Sequence, residues 1–390
     1  SVISFVFLIP YTASVYNGLS RLFGMAFDIP YAVCVIVMAA LTGVYVILGG
    51  YMATAINDFI QGIVMLFGIV AVIVAVLDGQ GGFYQAMITL SELESDIPLT
   101  MGQKGVFTSF FGPDLPNLLG VVVLTSLGTW GLPQMVQKFY AIKDEKSIKY
   151  GTIISTFFAI IVAGGCYFLG GFGRLFDGPE IYNEKGAIVY DAIVPAMLSK
   201  LPDILIGIVI VLVLSASMST LSSLVMTSSS TLTLDVIKGS IAKKMSEKKQ
   251  LLWMRVLIVF FIVISVVIAL DPPAFIAQLM GISWGALAGA FLAPFLYGLY
   301  WKGVTKASVW ASFATGVGIT VANMFFKFIA SPINAGAIAM VAGLVIVPVV
   351  SLITPKMKKE IVEECFVCYN KRVVVENKVA LPKEENEESK

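Results

Sequence analysis

Long apolar runs separated by short polar breaks repeat along most of this chain. Ten of them are long enough to cross a bilayer, near residues 2–23, 31–50, 53–77, 117–137, 150–172, 203–230, 251–270, 274–299, 306–329 and 333–353. A helical span needs about 20 such residues. None shows the strict alternation of a barrel strand, and in lipid each backbone amide must be paired within its own segment, so the pattern predicts helices. Two connecting stretches are long. Residues 78–116 carry Gly79-Gln80-Gly81-Gly82, an amphipathic stretch around Phe83–Leu93, and the acids Glu92, Glu94 and Asp96. Residues 173–202 include Asp191–Leu198, which reads as a short helix lying on the surface as a lid.

One run departs from the pattern. From Ser215 to Thr233, twelve of nineteen residues carry a hydroxyl, directly after the apolar stretch Ile204–Leu214. Serine and threonine satisfy themselves in a membrane by bonding to a carbonyl one turn earlier. Ala216, Ser219, Thr220 and Ser223 share one helical side. Two readings of that side stand open from the segment alone: close packing through small residues, or oxygens turned towards an ion.

Composition and charge narrow the class. The chain is 58% hydrophobic and 13% charged, with mean hydropathy +0.90, as expected of an integral membrane protein. The segments 138–150, 238–255 and 302–306 and the tail after 354 hold 20 of the 26 Lys and Arg. By the positive-inside tendency these lie in the cytoplasm, and ten alternating spans then place the C-terminus there too. A net charge of +1, segregated by membrane side, gives no sign of a nucleic-acid partner. Cys34 and Cys166 lie in spans, and Cys365-x-x-Cys368 is a lone pair in a chain without histidine, a poor basis for a metal site. No nucleophile–base set that would make an enzyme stands out.

Several stretches together resemble the sodium:solute symporter family. Gly49-Gly50-Tyr51-Met52-Ala53-Thr54-Ala55-Ile56-Asn57-Asp58-Phe59-Ile60-Gln61 looks like its G-G-x-x-A-V-x-x-T-D-x-x-Q signature. Gly131-Leu132-Pro133 to Lys138 resembles its G-x-P-x-x-x-x-R segment, and Met218–Ser223 with Thr227–Asp235 its hydroxyl-rich helix. Trp284–Phe291 and Leu299-Tyr300-Trp301-Lys302 are similar to its W-x-x-x-x-A-x-F and L-x-W-K pair. The resemblance implies an all-α, leucine-transporter-like bundle of two inverted repeats, with residues 1–353 as the transmembrane domain and 354–390 as a charged cytoplasmic tail. On that mapping the first three spans are core helices three to five, the next five are core helices six to ten, and the last two are peripheral. The first repeat is then incomplete. Since the chain opens in mid-helix at Ser1-Val2-Ile3, it is expected to be the N-terminally truncated part of a longer protein. It should then be unable to transport alone and should show a groove along residues 215–233.

The resemblance also assigns residues. The family's shared sodium site takes a carbonyl and two hydroxyls from the hydroxyl-rich helix, which fall on Ala216, Ser219 and Thr220. Such neutral oxygens replace an ion's water without burying a full charge. Asp58, alone among ionisable residues in the first half of its span, matches an aspartate linked to cation release and gating; the plainer alternative is a helix cap or a pair with a lysine. Around Thr125–Pro133 two glycines and a proline interrupt a span, and broken helices carry substrate in such transporters. Substrate candidates are Ser126, Thr129, Trp130 and Gln134, with Tyr11 and Gln278 from other spans; Tyr11 and Trp130 also read as ordinary packing or lipid-facing aromatics. Proline carriers of the family have aromatics where Thr125 and Thr129 stand, which argues against proline. The expectation is sodium-coupled symport of a small polar solute of amino-acid or carboxylate type, with no cofactor. The rival reading is a family-like membrane sensor.

Overall fold

A computed structural model describes residues 1–139, 142, 144–183 and 185–370, with the side chains of all of these but 49–55, 57 and 370. The signature Gly49–Ala55 and Asn57 therefore lies outside the described side chains, and the tail from 371 outside the described residues. The helices are α1 Val2–Phe27, α2 Tyr31–Asp78, α3 Phe83–Glu92, α4 Leu115–Gly131, α5 Pro133–Phe139, α6 Glu145–Phe158, α7 Gly164–Gly171 and α8 Ile193–Ser199. They continue as α9 Asp203–Thr231, α10 Glu247–Leu270, α11 Ile276–Tyr300, α12 Lys306–Phe326, α13 Pro332–Ile353 and α14 Lys359–Phe366. Among the described residues nine helical stretches are long and apolar enough to span a membrane, and the bent pair α4–α5 makes ten.

The two spans expected at 31–50 and 53–77 form one unbroken helical segment, α2. It cannot be straight. Thr42 lies 3.7 Å from the Met218 sulfur, and a Cβ on Gly68 would come 2.6 Å from Leu212 Cδ1. Twenty-six helical residues extend about 39 Å, whereas 212 to 218 on α9 rise only about 9 Å. The first leg runs against α10, from the Tyr31 hydroxyl on Ala269 O at 2.6 Å to Gly43 beside Ile262. The second runs against α9, from Asp58 beside Ser219 to Gly68 beside Leu212. Two crossings are thus joined without a loop.

The break expected over Thr125–Pro133 is confined to Leu132, where α4 and α5 meet at 48° because Pro133 offers no amide to continue the ladder. The glycines upstream of it serve packing instead. A Cβ on Gly128 would sit 2.8 Å from the Trp284 ring, and one on Gly131 would sit 2.7 Å from Ala288 Cα. The same device repeats along Gly281, Gly285 and Gly289 of α11. A Cβ on Gly285 would reach 2.5 Å from Gly336 Cα of α13, and one on Gly316 of α12 would overlap the Gly289 backbone. Small residues at four-residue spacing let helix backbones touch where lipid gives no hydrophobic drive. α11 is accordingly 67% buried along its apolar window, against 11% for the stretch Glu145–Leu175, which contains a π-helical turn at Ala159–Ala163.

At one end of the bundle the connections fold back on it. Arg174 bonds Asp96 at 2.8 Å and stacks on Phe107, tying the two long loops together. The expected short helix is present as a turn at Tyr190–Ala192 running into α8. At the lysine-rich end, α14 returns to the bundle: Lys302 lies over Phe366, and the Tyr369 hydroxyl donates to Leu299 O at 2.7 Å.

Candidate functional site

The hydroxyl-rich run is helical, from within α9 through the π-helical continuation Leu232–Ile241. Its residues divide by face. Ala216, Ser217 and Thr220 border an open cavity of about 570 Å3, lined also by Tyr11, Ser14 and Gly18 of α1 and by Phe275, Ile276 and Ala277 at the start of α11. The turn before α8 and α8 itself form its rim through Asp191 and Pro195. It is not the groove expected along residues 215–233: of the stripe only Ala216, Ser217 and Thr220 border it, the other walls are helices of this chain, and Ser222, Thr227, Ser228 and Ser229 farther along are buried.

Within it, the Thr220 hydroxyl donates to Ala216 O at 2.9 Å, and the Ser14 hydroxyl donates to Tyr11 O at 2.7 Å. Both keep oxygen lone pairs free to face a ligand. Ser217 makes no hydrogen bond among the described residues. Tyr11 stands edge-on to Trp284, with ring centres 5.6 Å apart, which fixes its ring against the wall. Hydroxyls and apolar surface predominate, with Asp191 as the one carboxylate in the lining.

Ser219 sits about 100° from Thr220 around the helix and faces α2, not the cavity. Its hydroxyl lies against the Asp58 carboxylate, with Lys138 near enough to interact with the same charge. Asp58 Oδ1 is buried without a hydrogen-bond partner among the described residues, as is Gln61 Oε1 one turn on. The three residues the family pattern assigns to sodium thus straddle two faces of α9, and the third joins Asp58. Towards the lysine-rich end Thr227 donates to Gln137 at 3.0 Å, and Gln134, 4% exposed, has an amide with no partner there.

The substrate candidates are not brought together. Tyr11 alone lines the cavity. Gln278 lies on α11 two positions beyond Ile276 and is not in the lining. Trp130 is 57% exposed on the outside of α4, Ser126 is exposed beside it, and Thr129 donates to Ser126 O at 3.5 Å. Trp284 stands between Gly128 and Tyr11, separating α4 from the cavity.

The cavity mouth holds residues whose role the sequence reading missed. Asp191 accepts from Ile276 N at 3.1 and 3.2 Å, capping α11, and from Asn17 Nδ2 at 3.0 Å. Asn17 Oδ1 in turn accepts from Arg21 Nε at 2.7 Å, and the Tyr31 hydroxyl, whose proton goes to Ala269 O, lies 3.2 Å from it. Burial pushes the Asp191 carboxyl above its ordinary value, offset in part by the Ile276 amide, Arg21 and Asn17. The available signal was the stripe Ser14, Asn17, Arg21 at helical spacing, with Arg21 the one charged residue of the span.

Comparison with known proteins agrees with the architecture. Residues 1–316 match the family model described as the Sodium:solute symporter family. The chain is 29% identical over 307 residues to the sodium/pantothenate symporter of Haemophilus influenzae, covering 78% of this chain and 60% of that protein. It is 26% identical over 367 residues to the osmoregulated proline transporter of Bacillus subtilis, covering 92% and 71%. This chain therefore spans about 60% of the length of the pantothenate symporter. Its fold matches a solved structure described as the substrate-bound outward-open state of a Na+-coupled sialic acid symporter. The TM-score is 0.68 at 16% identity, with 92% of this chain and 75% of that one covered.

Proposed function

This chain belongs to the sodium:solute symporter family, and from that premise we propose that it serves sodium-coupled symport of a small polar organic solute of amino-acid or carboxylate type. The observation that carries this is the cavity itself, where Ala216 and Thr220 of α9 share a space with Tyr11 and Ser14 of α1. Sodium binds at Ala216 and Thr220, taking the lone pairs that Thr220 keeps after donating to Ala216 O. Ser219 links that site to Asp58, whose unpartnered Oδ1 receives the ion on its way to the lysine-rich side. That side is cytoplasmic, together with the C-terminus. The solute sits between Tyr11 and α9, with Gln278 near; Ser126, Thr129, Trp130 and Gln134 act only once α4 and α5 have moved at the Leu132 hinge. Relatives are named for pantothenate and proline, both small polar solutes, and of these proline is disfavoured by Thr125 and Thr129. The test is uptake of proline, pantothenate and sialic acid under a sodium gradient into proteoliposomes that hold the full-length protein, since this chain is expected not to transport alone. Accumulation of at least one that stops when potassium replaces sodium supports the reading. Uptake indifferent to sodium overturns it.

A further inference from the structure

A second pocket, of about 480 Å3, opens on the other side of α8, whose Pro195 borders both spaces. Ser20 and Arg21 of α1 and Tyr31 of α2 form one wall, Ser199 closes the α8 side, and Glu180 also lines it, exposed to solvent. Two observations point to a ligand. Ser20 is 0% exposed, yet its hydroxyl has no partner among the described residues, although a serine in a helix ordinarily donates to a carbonyl one turn back. Arg21 is held in place, with Nε on Asn17 at 2.7 Å and its guanidinium carbon 5.4 Å from the Tyr31 ring centre. Its two terminal amino groups meet no protein acceptor among the described residues.

A fixed guanidinium with two free amino groups matches a carboxylate, and the Ser20 hydroxyl supplies a further donor. Asp191, one link away through Asn17, offsets part of the Arg21 charge, and Glu180 disfavours a bare anion. Both effects favour a molecule that carries a positive group as well. We propose that this pocket binds a small zwitterion of amino-acid or betaine type, its carboxylate on Arg21 and Ser20 and its cationic group towards Glu180. The site is separate from the cavity at Thr220 and does not depend on what that cavity carries.

The test is protection of Arg21 from phenylglyoxal, read by peptide mass spectrometry on the purified protein at constant ionic strength. Arg174, paired with Asp96, is the internal reference, and glycine, acetate and methylammonium are the probes. Glycine should slow Arg21 modification roughly fivefold, acetate less and methylammonium not at all, leaving Arg174 unchanged. Ser20→Ala should raise the glycine concentration for half-protection roughly threefold, and Glu180→Gln should remove the advantage of glycine over acetate. Protection should survive Thr220→Ala; its loss in that variant would place the ligand in the main cavity and overturn the second site. Acetate as effective as glycine in the unmodified chain, equal protection of Arg174, or no protection would each overturn the proposal as well.

Discussion

Asn17 in α1 and Asp191 in the turn before α8 lie 174 positions apart in the chain and are joined by a 3.0 Å hydrogen bond. Because the same carboxylate caps Ile276, one side chain ties the α8 lid to two spans at the mouth of the cavity. The lid is short and owes little of its position to its own helix propensity. Replacing Asp191 with alanine should therefore release it. Hydrogen exchange over residues 190–199 should rise while the exchange of α12 and α13 stays unchanged, and thermal stability should fall by about 1.5–3 kcal/mol, the range for hydrogen bonds to a charged group. Unchanged exchange would show that apolar contacts alone hold α8.

Asp191 also makes stability depend on pH, with a definite sign. Its folded carboxyl value lies above the ordinary 3.8, chiefly through burial. A raised acid takes up a proton more readily folded than unfolded, so its contribution is full below 3.8 and is lost as pH rises through the raised value. Melting temperatures from pH 4 upward should therefore contain a declining component that Asp191→Asn removes. A variant with the same profile as the parent would contradict this.

The two faces of α9 predict different couplings. If sodium binds as proposed, Thr220→Ala should raise the sodium concentration for half-maximal binding roughly tenfold, since one proposed ligand oxygen is lost with little volume. Ser219→Ala acts beside Asp58, so its effect should shrink when Asp58 is already asparagine, while Thr220→Ala should add independently to Asp58→Asn. A double-mutant cycle on sodium affinity measures both. Additivity for the Ser219–Asp58 pair would separate the two sites.

Backbone contact at the α11–α12 crossing leaves no room for a methyl group. Gly316→Ala should destabilise the bundle by about 1–3 kcal/mol through overpacking, because a Cβ there overlaps the Gly289 backbone. Gly318→Ala, two positions on and with open space around it, should be neutral or stabilising by up to about 1 kcal/mol through helix propensity. Thermal unfolding in detergent of the two variants side by side checks the pair, and equal melting points would refute the contact.

Much of this fold was legible in the sequence because a span announces itself by composition alone: all ten apolar runs are helical in the structure, although only the start of the hydroxyl stripe borders a cavity. What hydropathy could not show was tertiary. The two crossings of α2 were legible as separate apolar runs, but their joining without a loop and their partners α9 and α10 leave no trace in local pattern. Gly128 and Gly131 read as a break, and only the approach of Trp284 and Ala288 reveals them as contact points. Ser219 and Thr220 are neighbours in sequence, and the helical turn between them sends one to Asp58 and the other to the cavity. Asp191 was read as part of a lid, since nothing local signals that its acceptors face Asn17 and Ile276.

Labelling of single cysteines discriminates between the two sets of substrate candidates. Tyr11 lines the cavity, while Ser126 and Trp130 are exposed on the outside of α4. With Cys34, Cys166, Cys365 and Cys368 replaced by alanine, single cysteines at Tyr11, Ser217, Ser126 and Trp130 can be labelled with a water-soluble maleimide. Ser217→Cys and Tyr11→Cys border a space of about 570 Å3 and should react; sodium with a bound solute should slow them roughly tenfold by filling it. Trp130→Cys and Ser126→Cys, in a detergent belt on the outer face, should react slowly and without regard to solute. If solute instead protected the α4 positions and left Ser217→Cys open, the binding site would lie at the α4–α5 break, and the cavity beside Thr220 would serve the ion alone.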